Sequence, residues 1–204
     1  APESIGGAAA NPAWDAFFFY NHGVRYDANH ERCPRTSALL ESIELCQVAR
    51  QAPEICFSVI RPQSSILPHY GVTNTRLVFH LPLVVPPDCA LNVGGVEHRW
   101  REGEPILFDD TYEHEAWNRS DRPRLILLMD CWNPHLTEGE KEAVRHVIEA
   151  IDAIEKRSST VRRPCRPIPA RATGFSRRRA IAWVIAPTSR GGTMLSVTVR
   201  RPST

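Results

Sequence analysis

The sequence has no apolar run near the roughly 18 to 20 residues a membrane-spanning helix needs. Its longest late run, Ala180 to Ala186, is far too short, which excludes a helical span within these residues. Its six cysteines form no CxxC pair and no zinc-type cluster. Cys33, Cys46, Cys56, Cys89, Cys131 and Cys165 therefore read as small buried hydrophobes before they read as a disulfide framework. A glycine-rich phosphate loop is missing as well, because "VGGVE" and "RGGT" lack the lysine and the strand-to-helix setting it requires. No internal repeat is visible. After Glu155 there is no acidic residue at all.

That last absence divides the chain. Up to Lys156, 14 Lys and Arg stand against 23 acids, and beyond it come 11 arginines alone. The body is acidic and the tail basic. The tail, as in "RRPCRPIPARATGFSRRR", shows neither helical nor strand period over most of its length, so a disordered extension is expected rather than a nucleic-acid arm. No nucleic-acid partner is expected. The organisation read from this is an N-terminal segment 1–13, one jelly-roll domain 14–156, and a basic tail 157–204. The chain opens on Ala1 without a methionine, which leaves room for an upstream signal or anchor; the residues present are expected to be soluble, cytoplasmic before any other compartment.

What remains is enough for one domain: 204 residues, 42% hydrophobic and 24% charged, can bury a substantial core. "WDAFFFYN" reads as an apolar strand that turns at Asn21 to Gly23. "CPRTSALLESIELCQVARQ" predicts a helix with Leu39, Leu40, Ile43 and Cys46 at helical spacing and Thr36 or Ser37 as N-cap. From Glu54 to Asp130 the texture changes to short β-rich runs: "ICFSVI", "TRLVFHLPLVV", "ALNVGG", "EHRWREGEPILF", "HEAWNRS" and "RLILLMDCW". Their spacing, that of a sandwich or barrel, predicts a mainly β architecture, an antiparallel double sheet of the jelly-roll kind with flanking helices. "LTEGEKEAVRHVIEAIDAIEKR" then predicts an amphipathic helix with Val144, Val147, Ile148, Ile151 and Ile154 on one face, opened by a Thr137–Glu140 capping box.

Chemistry concentrates in a few polar residues of the β region. His69 and His114 lie on or beside different strands, which a jelly roll can bring together, and two converging imidazoles suit iron, zinc, copper or nickel. In "FDDTYEH", Asp110 and Glu113 are acids beside the second histidine, able to act as ligand or as hydrogen-bond acceptor. Arg124 opens the otherwise apolar "RLILLMD", where a guanidinium calls for a bidentate carboxylate.

Together these motifs, "S-x10-P-H-x-G-x-T-N-x-R-L", "F-D-D-x-x-x-H-E-x-W", "R-L-I" and "D-x-W-N-P-x-L-T", resemble the aspartyl/asparaginyl β-hydroxylase family of iron(II) and 2-oxoglutarate dependent oxygenases. The resemblance runs from about Trp14 to about Ile154 and leaves the tail outside. It implies that the jelly roll is a double-stranded β-helix, cupin-like, with flanking helices. It implies His69 and His114 as the two iron ligands, with Gly71 where most related oxygenases carry a carboxylate ligand and with Asp110 holding a metal-bound water. It implies Ser58 and Arg124 at the distal carboxylate of 2-oxoglutarate and His80 near its other end. One departure is Val78, where the animal enzymes carry an arginine that contacts bound ligands; Arg76, the nearest remaining cation, is the candidate for that cofactor-binding place. Trp117 and Trp132 match family positions but are expected to pack.

The implied cofactors are Fe(II), 2-oxoglutarate as cosubstrate, and O2. The implied reaction is hydroxylation of an unactivated carbon, first of all the β-carbon of Asp or Asn in a peptide, protein or small amino-acid derivative. Lipid A acyl-chain hydroxylation, peptide tailoring or halogenation within the same superfamily, and a non-catalytic jelly-roll binding module are the alternatives. Gly71 alone does not separate hydroxylation from halogenation, which also uses a glycine there.

Overall fold

The computed structural model describes residues 14–159, 182–184 and 196–197. The chain opens with β1 (Trp14–Asn21) and β2 (Val24–Arg25), a hairpin whose turn holds His22 and Gly23 at φ of 49° and 75°. Two short helices follow, α1 (Asp27–Arg32) and α2 (Pro34–Glu41). Then come β3 (Ile55–Ile60), β4 (Ser64–His69), β5 (Arg76–Val84), β6 (Cys89–Val93), β7 (Val96–His98), β8 (Ile106–Phe108), β9 (His114–Asn118) and β10 (Arg124–Trp132). The long α3 (Glu138–Ser159) closes the body, and the tail supplies β11 (Ala182–Val184) and β12 (Ser196–Val197). The rest of the tail and the segment 1–13 lie outside the described residues, and with them most of what the sequence predicts for both.

The strands form two sheets. The larger runs β12-β11-β8-β5-β10-β3-β1-β2 and the smaller β4-β9-β6-β7. Every strand pairing is antiparallel, and the two sheets face each other as a jelly roll. Side chains alternate across each strand, so one face of the large sheet looks into the roll while the other looks out. On β10, Arg124, Ile126, Leu128 and Asp130 line the interior, whereas Leu127 and Met129 pack outside with Phe17, Phe19 and Phe57 against Leu40 of α2. Leu91, Val93, Trp100, Ile106 and Phe108 fill the space between the sheets. A third cluster joins Cys46, Val48, Ala52 and Trp132 to Val144 and Ile148 of α3.

The helices differ from expectation in instructive ways. α2 begins at Pro34, whose fixed φ and missing N–H suit the first helical position, and not at Thr36 or Ser37. Ser37 instead bonds the buried His30 at 2.7 Å. The helix stops at Glu41, where Ser42 Oγ donates to Leu39 O at 2.7 Å, so Ile43 and Cys46 lie beyond it. In α3 the capping box forms, with Thr137 N donating to Glu140 Oε2 at 2.7 Å and Glu140 N to Thr137 Oγ1 at 3.3 Å. Only part of its apolar face is covered, because Val147, Ile151 and Ile154 are exposed. Among the described residues no helix is long and apolar enough to cross a membrane. The described cysteines are all free thiols.

Asn118, fully buried at the end of β9, ties the roll together. Its Nδ2 donates to Ile60 O at 3.0 Å and Arg122 O at 2.7 Å, and its Oδ1 accepts from Ser120 N, Ser120 Oγ and Cys89 Sγ. One amide thus satisfies groups from β3, the start of β6 and the β9–β10 turn. Asn118→Ala would leave several buried polar groups unpaired, and a loss of about 3 kcal/mol in unfolding free energy is expected from chemical denaturation. An unchanged denaturation midpoint would show that water takes over these bonds.

Candidate metal and cosubstrate site

The seven residues singled out from the sequence, His69, His114, Asp110, Ser58, His80, Arg124 and Arg76, all line one cavity of about 620 Å³ inside the roll. That volume lies within the range of roughly 300 to 1,000 Å³ common to small-molecule sites.

The two histidines meet by strand register. β4 and β9 pair antiparallel with His69 opposite His114, and the ring centroids are 4.0 Å apart with planes tilted by 52°. The register between Ile66 and His69 is irregular: three steps along β4 match two along β9. This is a one-residue bulge at Leu67 and Pro68, where proline costs no ladder bond. Ile66 already faces the cavity, so strict alternation would turn His69 away; the extra residue turns it back in.

Each ring is oriented by its own backbone. Nδ1 of His69 lies 2.7 Å from Leu67 O, and Nδ1 of His114 lies 3.0 Å from Tyr112 O. A carbonyl only accepts, so the proton of each neutral ring sits on Nδ1 and both Nε2 atoms keep a free lone pair. Burial lowers the His114 pKa below its ordinary value, which favours the neutral, ligating form.

Gly71 resolves against Asp110. A Cβ at position 71 would fall inside the Asp110 carboxyl group, and the two residues are also joined by a Gly71 N to Asp110 O bond of 2.7 Å. The carboxylate at this place comes from the β8–β9 loop instead of from the end of β4. Burial, the first cause, pushes the Asp110 carboxyl up to about 6, and its Oδ1 has no hydrogen-bond partner among the described residues. Asp109 beside it takes a local role, accepting from Thr111 N at 3.0 Å and Thr111 Oγ1 at 2.6 Å. Tyr70 clamps the same loop from β4's end, its hydroxyl donating to Glu113 Oε2 at 2.6 Å.

Arg124 is the most unusual charge in the fold. It is 1% exposed and has no acidic partner among the described residues; Nη1 donates to Ser58 O at a long 3.4 Å and Nε donates to nothing. Burial pulls its pKa down to about 9. Trp100 lies 4.8 Å from its guanidinium carbon, an aromatic face that offsets part of the missing solvation. Ser58 Oγ accepts from Trp14 Nε1 at 2.9 Å, which leaves the serine proton free to donate elsewhere. His80 is buried with Nδ1 unpartnered, and burial followed by the nearby Arg124 holds its pKa well below the usual value. Arg76 is engaged with Asp130, Nε to Oδ1 at 3.4 Å.

Sequence reasoning missed the supporting residues Trp14, Trp100 and Phe108, the last with its ring 5.1 Å from His80 and 5.5 Å from His114. No local signal marks them, because Trp14 meets Ser58 and Phe108 meets His80 only once their strands pair, and Trp100 meets Arg124 only in the folded roll. It also missed Glu54, a carboxyl in the cavity wall just before β3. Trp117 stacks on Arg119 at 4.8 Å and Trp132 packs in the α3 cluster, both away from the cavity wall.

Residues 2–134 match the family model described as aspartyl/asparaginyl β-hydroxylase. The chain belongs to that family. Aspartate β-hydroxylase domain-containing protein 2 of Homo sapiens is 38% identical over 134 residues, covering 64% of this chain and 36% of the relative. Aspartyl/asparaginyl β-hydroxylase of Homo sapiens is 33% identical over 132 residues, 64% of this chain and 17% of the relative. An ornithine lipid ester-linked acyl 2-hydroxylase of Rhizobium tropici is 36% identical over 124 residues, 59% of this chain and 42% of the relative. The chain thus spans less than half the length of each. A solved Cupin_2 domain from Enterobacter cloacae covers 59% of this chain at a TM-score of 0.40 and 8% identity, too distant to add to the fold read from the two sheets.

The contact at Gly71 yields a sharp test. Gly71→Ala should lower unfolding free energy by about 1 to 3 kcal/mol, as an overpacked site does. Removing the opposing carboxyl in Gly71→Ala/Asp110→Gly should recover most of that loss, a non-additivity that denaturant titration of the three variants measures directly. Additive losses would mean the two residues do not compete for one space.

Proposed function

We propose that this chain is an iron(II)- and 2-oxoglutarate-dependent dioxygenase that hydroxylates an unactivated carbon, foremost the β-carbon of an Asp or Asn residue or of a related amino-acid or peptide substrate. The observation that carries the reading is the presence, in one cavity, of two histidines with free Nε2 atoms and a buried guanidinium without a counter-ion among the described residues. The donor set fits the group: paired imidazoles suit iron, and the unpartnered atoms of Asp110, His80 and Arg124 each call for a ligand.

In this reading His69 and His114 would hold the metal through Nε2, and Asp110 Oδ1 would accept a hydrogen bond from a water beside it. When bound, iron(II) with 2-oxoglutarate and O2 supplies an oxidant that takes hydrogen from carbon and returns hydroxyl, leaving succinate and CO2. Arg124 receives the distal carboxylate of the cosubstrate on its planar fork, recovering the solvation it lost on burial. Ser58 donates its hydroxyl proton to the same carboxylate, held in that role by Trp14 Nε1. His80, kept neutral, offers a hydrogen bond and no charge near the other end. Arg76, the candidate for cofactor binding, is bonded to Asp130 at the end of the cavity away from Arg124, so we assign it to the substrate side instead. Halogenation is disfavoured because Asp110 fills the space that a glycine at 71 would otherwise open for a halide.

Anaerobic addition of iron(II) and 2-oxoglutarate should produce the weak visible charge-transfer band of this pair. His114→Ala should abolish it. Arg124→Ala should raise the 2-oxoglutarate concentration for half-saturation at least tenfold, since the carboxylate loses a buried bidentate partner. A folded wild-type protein without the band would overturn the proposal.

A further inference from the structure

The cavity runs along β10, with Arg124 at one end and Asp130 at the other, six residues or roughly 20 Å apart along the strand. The two ends differ in charge. The Arg124 end holds a cation without an anion among the described residues. The Asp130 end gathers Glu54, Asp130 and Asp110 against Arg76.

Within that acidic end the partners are unequally shared. Asp130 is satisfied twice, by Glu54 N at 2.8 Å and by Arg76 Nε at 3.4 Å. Arg50, which also lines the cavity, is drawn to Asp152 on α3 at 3.2 Å. The Glu54 carboxyl is left with neither an ion pair nor a hydrogen bond among the described residues. Its backbone is pinned on both sides, N–H to Asp130 Oδ2 and C=O accepting from Asp130 N at 3.0 Å, so it is a fixed part of the wall. Burial, and next the Asp130 charge, push its carboxyl up to about 7. A half-buried acid whose neighbouring cation, Arg76, is bonded to Asp130 destabilises the fold, and such groups concentrate where a ligand supplies the missing partner.

We propose that Glu54 is the specificity-determining residue of the substrate end, taking a cationic nitrogen, ammonium or guanidinium, of a peptide or amino-acid substrate in a charge-assisted hydrogen bond. The inference rests on the oxygenase reading and narrows its substrate class. Cosubstrate and substrate are then sorted by charge: the dicarboxylate goes to Arg124, and the acidic wall at the opposite end repels a second 2-oxoglutarate. A substrate whose flanking groups are acidic would meet the same repulsion.

The test compares three peptides of equal length, acetyl-Lys-Asn-Lys-amide, acetyl-Nle-Asn-Nle-amide (Nle, norleucine) and acetyl-Glu-Asn-Glu-amide, titrated by calorimetry into the iron- and 2-oxoglutarate-loaded protein without oxygen. The lysine peptide should bind at least tenfold more tightly than the norleucine peptide, and the glutamate peptide more weakly than both. Glu54→Gln should erase the lysine preference and Glu54→Asp should keep part of it. No binding of the lysine peptide at millimolar concentration, or a preference that survives in Glu54→Gln, overturns the proposal. The charge-transfer band, read on the same samples, separates the two claims. A band without lysine preference sinks only this inference, whereas Glu54-dependent preference without a band keeps the cation site and sinks the oxygenase reading.

Discussion

A single extra residue in β4 sets the geometry on which the rest of the site depends. Strands alternate with period two, so a strand presents its residues to the cavity two apart. Ile66 and His69 are three apart, and both line the cavity because the register slips by one at Leu67 and Pro68. The same bulge frees Leu67 O to hold His69 Nδ1. On the partner strand, His114 and Ala116 face inward with no irregularity. The histidine pair is thus built from one regular strand and one deliberately irregular one, and the irregular strand's proline prevents the ladder from closing into the regular register.

The interior that this register creates is apolar where it stabilises and polar where it does not. Leu91, Val93, Ile106 and Phe108 bury their side chains in ordinary fashion. Arg124 and His80 are buried beside them and Asp110 is half-buried, each with an unpartnered atom. A fold selected for stability alone would replace such groups with hydrocarbon, since an unpaired buried charge costs several kcal/mol. Their cost is met by the two sheets, joined through the Asn118 network, and by the outer layer of Phe17, Phe19 and Phe57 against α2. Local rules broken together in one cavity are the mark of a functional site.

Period and punctuation made much of this legible in the sequence. "ICFSVI" and "RLILLMDCW" are β3 and β10 to the residue, because uninterrupted β-branched and aliphatic runs leave no competing assignment. β4 was not legible as a strand, since Pro68 removes the signal at the position where the bulge sits. α2 was read too long, because Ile43 and Cys46 continue a helical spacing that Ser42 ends by capping Leu39 O. The site residues were identifiable as types and motifs, but their supports were not. Trp14 reaches Ser58 across 44 positions, and Trp100 reaches Arg124 across the roll. Glu54 carries no motif; its significance appears only once Arg76 and Arg50 are seen to be paired elsewhere.

The displaced carboxylate has a consequence for how the site holds together. With Gly71 bare and Asp110 filling its place, the acid and His114 both belong to the segment that runs from β8 into β9. That segment is tied locally by Asp109 to Thr111, and to the end of β4 by Tyr70 to Glu113 and by Gly71 N to Asp110 O. β4 therefore contributes one imidazole and a bare backbone, while the facing segment contributes the other imidazole and the carboxylate that lies against position 71. His114 is itself held in register with His69 on one side and Val93 on the other, so the ladder sets the spacing of the two imidazoles. The ties from Tyr70 and Gly71 add to this by holding the loop, and with it Asp110, against the end of β4.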